Sequence, residues 1–248
     1  MSKLEVVWRG RIPLEQVSWT LDPDSNLILT PELEAERDNI WTRTLKKHPN
    51  SYDGNLVVLL DYRTSRNSIS FQLGSISFSR ILTLEQAGIG PNAYGSLGFQ
   101  SVLLSPDRKF VVIGERAKNS LYCPLYHAIP GGMLEVSDAK GPFEQACLRE
   151  IREEVDIELE REKYLVALIN ELHGSVGIVA MIEAVARDPL DYDTSILGNE
   201  EWTDGRLYWV SVENLNQFTS DNSLEGPLFL RNEWQIYKTT GQSDIWKS

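Results

Sequence analysis

The run Arg149-Glu150-Ile151-Arg152-Glu153-Glu154-Val155 decides how this chain is read. On a helix advancing about 100° per residue, Glu153 and Glu154 fall about 60° and 40° to either side of Glu150. The three carboxylates then share an arc about 100° wide, while Leu148, Ile151 and Val155 form a neighbouring apolar arc that can be buried. Like charges at these spacings destabilise a helix by about 0.2–0.5 kcal/mol per pair. A divalent cation would offset that repulsion if the face lies in a cleft, because Mg²⁺ takes carboxylate oxygens, waters and phosphate oxygens. A solvated acidic face is the competing reading of the same string. Upstream, Gly131-Gly132 closes an extended segment and could bring a backbone carbonyl to the carboxylates.

Outward from this run, the pattern predicts a helix over about 142–157. Before it, 99–104 and 110–114 read as a hairpin across Ser105-Pro106-Asp107-Arg108. After it, 164–172 and 177–186 read as strands, 207–212 as another, and 212–215 as the start of a short helix. Nearer the N-terminus, 3–11 is β-rich. Thr30-Pro31 signals a helix start: a hydroxyl cap, proline at the first position, then Glu32 and Glu34 in the first turn. That helix should end before Pro49, with Leu33, Ile40, Trp41 and Leu45 inward. Strands are expected over 55–62 and 68–78. The glycines between 88 and 95 mark the best boundary, so 1–94 is expected to form a smaller α+β unit and 95–248 the main domain with a C-terminal extension.

The chain has 248 residues, with 24 basic and 36 acidic side chains, a formal net charge of −12 and a pI near 4.8. No basic cluster of the kind that tracks a phosphate backbone is visible, which argues against nucleic acid as the main partner. Apolar runs such as 56–60 fall well short of the roughly 20 residues that span a bilayer, so no membrane partner is expected. The N-terminus lacks the apolar core of a secretory signal. Two cysteines, Cys123 and Cys147, cannot make a disulfide framework, and a reduced, cytoplasmic chain is the simpler reading. Nothing in the sequence bears on oligomeric state.

The segment from Gly131 to Ile157 resembles a divergent Nudix box, G-x5-E-x7-R-E-U-x-E-E-x-G-U, with U a bulky aliphatic. Arg149, Glu150, Ile151, Glu153, Glu154 and Gly132 match it. The sixth residue after Gly132 is Asp138 rather than Glu, the spacing from there to Arg149 is longer by three residues, with 139–141 as an insertion, and Asp156 stands where the box has glycine. Shorter stretches are similar to the UDP-glucose diphosphatase subfamily: Asn39-Ile40-Trp41 to Pro49, Tyr52-Asp53, Leu73-Gly74 to Phe78, and Glu201 to Val210.

This resemblance implies an α/β fold, a Nudix α/β/α sandwich with a mixed sheet, preceded by the small α+β unit. It implies Mg²⁺-dependent hydrolysis of a nucleoside diphosphate sugar, with Mn²⁺ as a substitute. Carried over residue by residue, Glu150 and Glu154 are metal ligands, Glu153 is a third ligand or orients water, and Arg149 holds a glutamate in place. Gly132 supplies backbone. Glu135 is a candidate contact to metal or substrate, and Arg116 could neutralise the diphosphate. Glu201, then Glu200, is the candidate for an acid from a later loop, with Glu171 ranked lower. Tyr52 and Phe78 match the subfamily's base-binding positions. Two other readings stay open: hydrolysis of ADP-ribose or another nucleoside diphosphate derivative, and a non-catalytic nucleotide-binding module.

Overall fold

The computed structural model describes residues 4–26, 28–90, 94–115, 127–155, 157–171, 177–187, 206–215 and 228–239. Strand β1 (Leu4–Pro13) passes through a short turn into β2 (Val17–Asn26). Helix α1 (Pro31–Lys47) begins where the cap predicts, with Thr30 Oγ1 accepting the Leu33 amide at 3.4 Å. Strands β3 (Asn55–Thr64) and β4 (Ile69–Ser77) lead into α2 (Phe78–Gln86). Then come β5 (Leu97–Leu104), β6 (Phe110–Glu115), β7 (His127–Ala128), β8 (Gly131–Met133), α3 (Phe143–Val155), β9 (Leu159–Glu171), β10 (Ile178–Ala186), β11 (Arg206–Ser211) and α4 (Leu228–Thr239). No helix among the described residues is long and apolar enough to cross a membrane.

The expected mixed sheet is present. Its strands run in the order β1-β9-β10-β5-β6-β11, antiparallel except for the parallel pair β10–β5, with β7 and β8 attached to β6 and β5. Alternation along the strands sends side chains to two faces. On one face, Leu97, Phe99 and Leu103 join Ala180, Ile182, Phe143, Cys147 and Ile151 in a core that includes α3. On the other, Val102, Leu104, Val179 and Met181 pack with Trp234 and Tyr237 of α4. Helices on both faces make the α/β/α layering.

Within residues 4–90, β1 lies at the edge of the larger sheet, paired with β9. The others build a three-stranded sheet, β2-β4-β3, with α1 and α2. Its inner residues Val57, Phe71 and Leu73 belong to the same core as α3. The segment over 68–78, expected to be extended throughout, turns helical at Phe78. Asp53 causes the switch: its carboxylate accepts from the Ser79 amide at 2.7 Å and from Ser79 Oγ at 2.8 Å, at the first turn of α2. Phe78 meets Trp41 of α1 edge-on, with ring centroids 6.2 Å apart.

Strand β3 ties the two sheets together. Leu59 donates its amide to the Gly95 carbonyl at 2.8 Å, and Val57 donates to Leu134 at 2.9 Å. Val136 returns the pattern by donating to Asn55 at 2.8 Å. The loop that follows Gly132 is therefore laid along the edge of the small sheet.

Candidate active site

Strand β8 places the glycine pair against β5, in the register Phe99↔Gly132 and Gln100↔Gly131. Backbone excludes a side chain at Gly131, where a Cβ would lie 2.1 Å from the Phe99 carbonyl oxygen. A Cβ on Gly132 would lie 2.8 Å from Glu150 Oε2, so the Glu150 carboxylate occupies the space beside this glycine and would have to shift for any side chain placed there.

Beyond Met133 the chain runs along β3, turns through a short 3₁₀ segment, Asp138–Lys140, and enters α3. Asp138 organises this turn. Its Oδ2 accepts from the Glu135 amide at 2.9 Å, and its carboxylate is forked by Arg149, with Nε at 3.1 Å and Nη2 at 2.8 and 3.0 Å. Arg149 also donates to Glu150 through Nη2 and to Glu153 at 2.7 Å through Nη1. One guanidinium holds three carboxylates. The Asp138 side chain is 6% exposed, Glu150 15% and Glu153 52%, so this charge sharing runs from the interior to solvent.

Burial pushes the Glu150 carboxyl up to about 7, against the lowering effect of Arg149. Burial disfavours the Arg149 charge too, yet the Glu150, Asp138 and Glu153 carboxylates hold its pKa above the ordinary value. Glu150 is therefore a carboxylate whose negative charge its own surroundings only partly offset. Among the described residues no three His, Cys, Asp or Glu side chains converge as a metal-binding group. A divalent cation fits in another way, because Mg²⁺ is ordinarily held by one or two carboxylates while water and phosphate oxygens complete its octahedron. Glu150, beside the Gly132 backbone, and Glu154, one turn further along α3, are the carboxylates that could supply oxygens to such a site.

A stability prediction follows from Glu150. A folded-state pKa near 7, against 4.5 as the ordinary value, means the folded chain holds this proton more tightly between those pH values. Without metal, the Glu150 contribution to stability is fully present below pH 4.5 and is lost as pH rises through 7. The loss is at most about 3 kcal/mol. Melting curves in EDTA at pH 5 and pH 8 should show Glu150→Gln gaining on wild type as pH rises. An equal difference at both pH values would contradict the assignment.

The other expected residues are placed as follows. Glu154 is buried at 4% exposure, whereas Glu153 points outward and accepts from Arg149. Tyr52 is 67% exposed and donates its phenol to the Glu135 carboxylate, which also accepts from Ser137 Oγ at 3.1 Å. Phe78 is half-buried, and its amide donates to the carbonyl of Gly54, two residues after Tyr52, at 2.9 Å. Glu135, Tyr52 and the Arg149 cluster thus share the Asp138 turn. Arg116, Glu200, Glu201 and the Glu171 side chain lie outside the described residues. Asp138 itself, read from sequence as a departure from the box, takes the arginine-facing place.

No protein-family model matches the chain, and none of the curated proteins does. Among solved structures it is similar to Tm1382, described as a candidate Nudix hydrolase, at 16% identity over 79% of this chain and 94% of that one, TM-score 0.42. It is similar also to a bifunctional NMN adenylyltransferase/ADP ribose pyrophosphatase from Francisella tularensis, complexed with AMP and a manganese ion, at 15% identity over 65% of this chain and 46% of that one, TM-score 0.43. A third is the MutT protein of Methanosarcina mazei, at 15% identity over 58% and 92%, TM-score 0.39. At these scores the site has to stand on its own geometry.

Proposed function

We propose that the chain is a Nudix hydrolase that uses Mg²⁺ to cleave the diphosphate bond of a nucleoside diphosphate sugar. UDP-glucose or UDP-galactose, hydrolysed with one water to UMP and the sugar 1-phosphate, is the first substrate proposed. The observation that carries the reading is the convergence of Gly132, Arg149 and Glu150 on one point, with Asp138 in the place of the box's first glutamate. These are the matched positions of a motif whose loop is longer by three residues, and the arrangement survives that insertion.

When bound, the cation would neutralise charge on the diphosphate and lower the pKa of attacking water. The chain's own residues do the positioning. Glu150 and Glu154 hold the cation side, and Gly132 leaves the Glu150 carboxylate against backbone. Arg149 fixes the Glu150 carboxylate while Asp138 keeps most of its hydrogen bonds. Glu153, the most exposed of the three helix carboxylates and bonded to Arg149 through Oε2, is the one proposed to orient water. Tyr52 is the proposed wall for the uracil ring: its phenol is anchored on Glu135, leaving the ring open. Phe78 is bonded through its backbone to the same loop.

The test is a panel of UDP-glucose, UDP-galactose, ADP-glucose, GDP-mannose and ADP-ribose with Mg²⁺, read as released phosphomonoester. UDP-sugars should lead, and ADP-ribose in front would transfer the same site to a purine substrate. Tyr52 is the cleaner variant for the base, since an exposed ring can be removed without opening a core. Tyr52→Ala should raise KM for UDP-glucose about five- to a hundredfold with kcat little changed, the equivalent of about 1–3 kcal/mol of stacking. An unchanged KM would remove Tyr52 from the base site.

A further inference from the structure

We infer that Trp19, on β2 of the small sheet, is a positioning residue that sets how the Arg149 guanidinium is divided between Asp138 and Glu150; its effect on a cation rests on the reading of Glu150 proposed above. The Trp19 indole N–H donates to the Gly141 carbonyl at 2.7 Å, across 122 residues of sequence. Its ring meets Phe143, the first residue of α3, edge-on at 5.1 Å, and Phe143 meets Phe71 of the small sheet at 5.6 Å. Gly141 is gripped from both sides, because its own amide donates to the Asp138 carbonyl at 3.0 Å. The segment held in this way, 139–141, is the three-residue insertion. It is not a slack loop but is docked on another sheet.

The consequence lies at the other end of the same turn. Asp138 receives three of the contacts that Arg149 makes, while Arg149 Nη2 is shared with Glu150. Wherever the turn goes, the Asp138 carboxylate goes with it. Releasing Gly141 lets Asp138 drift from Arg149, and the guanidinium then closes on Glu150 and Glu153. A carboxylate neutralised by arginine is a poorer cation ligand. Trp19 therefore keeps Glu150 available without touching it. A tryptophan that merely filled space would affect stability alone.

Trp19→Phe keeps an aromatic ring near Phe143 and removes the N–H donor. Two readouts on the full-length chain test the inference. In ¹⁵N-arginine NMR spectra, the Arg149 Nε–H, identified by its absence in Arg149→Lys, should exchange slowly with water in wild type and faster in Trp19→Phe. Mn²⁺ titration followed by EPR should show the dissociation constant rising about three- to tenfold, the factor that one hydrogen bond's net contribution gives. Asp138→Asn should reach the same end from the other side, and the double variant should add nothing to it. Wild-type Nε–H exchange and wild-type Mn²⁺ affinity in Trp19→Phe would overturn the inference whatever the melting temperature. So would unchanged Mn²⁺ affinity in Asp138→Asn, should Trp19→Phe fail to fold. If the Arg149 signal responds but wild type binds no Mn²⁺, the cation reading of Glu150 falls and the positioning by Trp19 stands.

Discussion

Glu150→Gln should cut turnover by about two to three orders of magnitude, the loss typical when one preorganised electrostatic contact to a transition state is removed. The substitution keeps the shape of the side chain and a hydrogen-bonding oxygen toward Arg149, so the contact to the guanidinium is weakened rather than lost. It removes the negative charge that would hold the cation against the diphosphate. Because that charge acts most where charge develops in the transition state, kcat and kcat/KM should fall together, unlike the KM effect expected at Tyr52. Glu154→Gln belongs with it, as the second donor one helical turn away. Steady-state kinetics in saturating Mg²⁺ check this, alongside circular dichroism to confirm the fold. Full activity in Glu150→Gln would reduce the carboxylate run to a helix face with no part in catalysis.

The largest stability effect should come from Glu183 on β10. This carboxylate is 1% exposed and sits where four segments meet. Its Oε1 accepts from Arg11 of β1 at 2.9 Å and Arg108 of the β5–β6 turn at 3.3 Å, and its Oε2 accepts from the Tyr237 phenol of α4 at 2.7 Å. Arg108 adopts a left-handed backbone, φ 59°, and Arg11 lies over the Tyr164 ring at 3.6 Å. Burial, joined by the Glu183 charge, holds the Tyr237 phenol well above its ordinary pKa. Glu183→Ala leaves two guanidinium groups and a buried hydroxyl without their common acceptor. Breaking a fully buried pair costs about 3–5 kcal/mol; with Arg11 and Arg108 about one-third exposed and open to solvent screening, the loss here should be about 2–4 kcal/mol. For a chain of this size that is a fall in melting temperature of about 4–16 °C. Glu183→Gln, which keeps an acceptor but no charge, should fall between. A loss below about 1 kcal/mol in urea unfolding of Glu183→Ala would mean that the Glu183 network contributes little to holding α4 and β1 in place.

What could be read from the sequence was local chemistry. Thr30-Pro31 announced α1, and the apolar arc of Ile151 and Val155 announced α3. Both signals sit within a turn of the element they start or bury. What escaped depends on partners far along the chain. Strand β2 contains Asp22, Pro23 and Asp24 and has no clean alternation; it is extended because it pairs with β4, register Trp19↔Phe71. The helix at Phe78 is hidden because its capping carboxylate, Asp53, is 26 residues away from Ser79. Strand β1 reads as a strand but not as an edge of the larger sheet, since nothing in 4–13 names β9 as its neighbour. At the site, the carboxylates and Gly132 were legible as types at a spacing. Asp138 was visible only as a mismatch, and Trp19 not at all, because its role exists only once β2 lies beside the box loop. A reader alert to an aspartate in the place of the box's first glutamate, one methylene shorter, had the signal for Asp138.

The proposed hydrolysis of a nucleoside diphosphate sugar at its diphosphate depends on the Glu150 cluster. The direct measurement is ³¹P NMR of UDP-glucose incubated with wild type, with wild type in EDTA, and with Glu150→Gln in Mg²⁺. Wild type with Mg²⁺ should convert the two diphosphate resonances into two phosphomonoester resonances, those of UMP and glucose 1-phosphate, while the other two samples leave the diphosphate intact. Equal conversion by Glu150→Gln, or an unchanged diphosphate with wild type across the whole nucleotide panel, would contradict it.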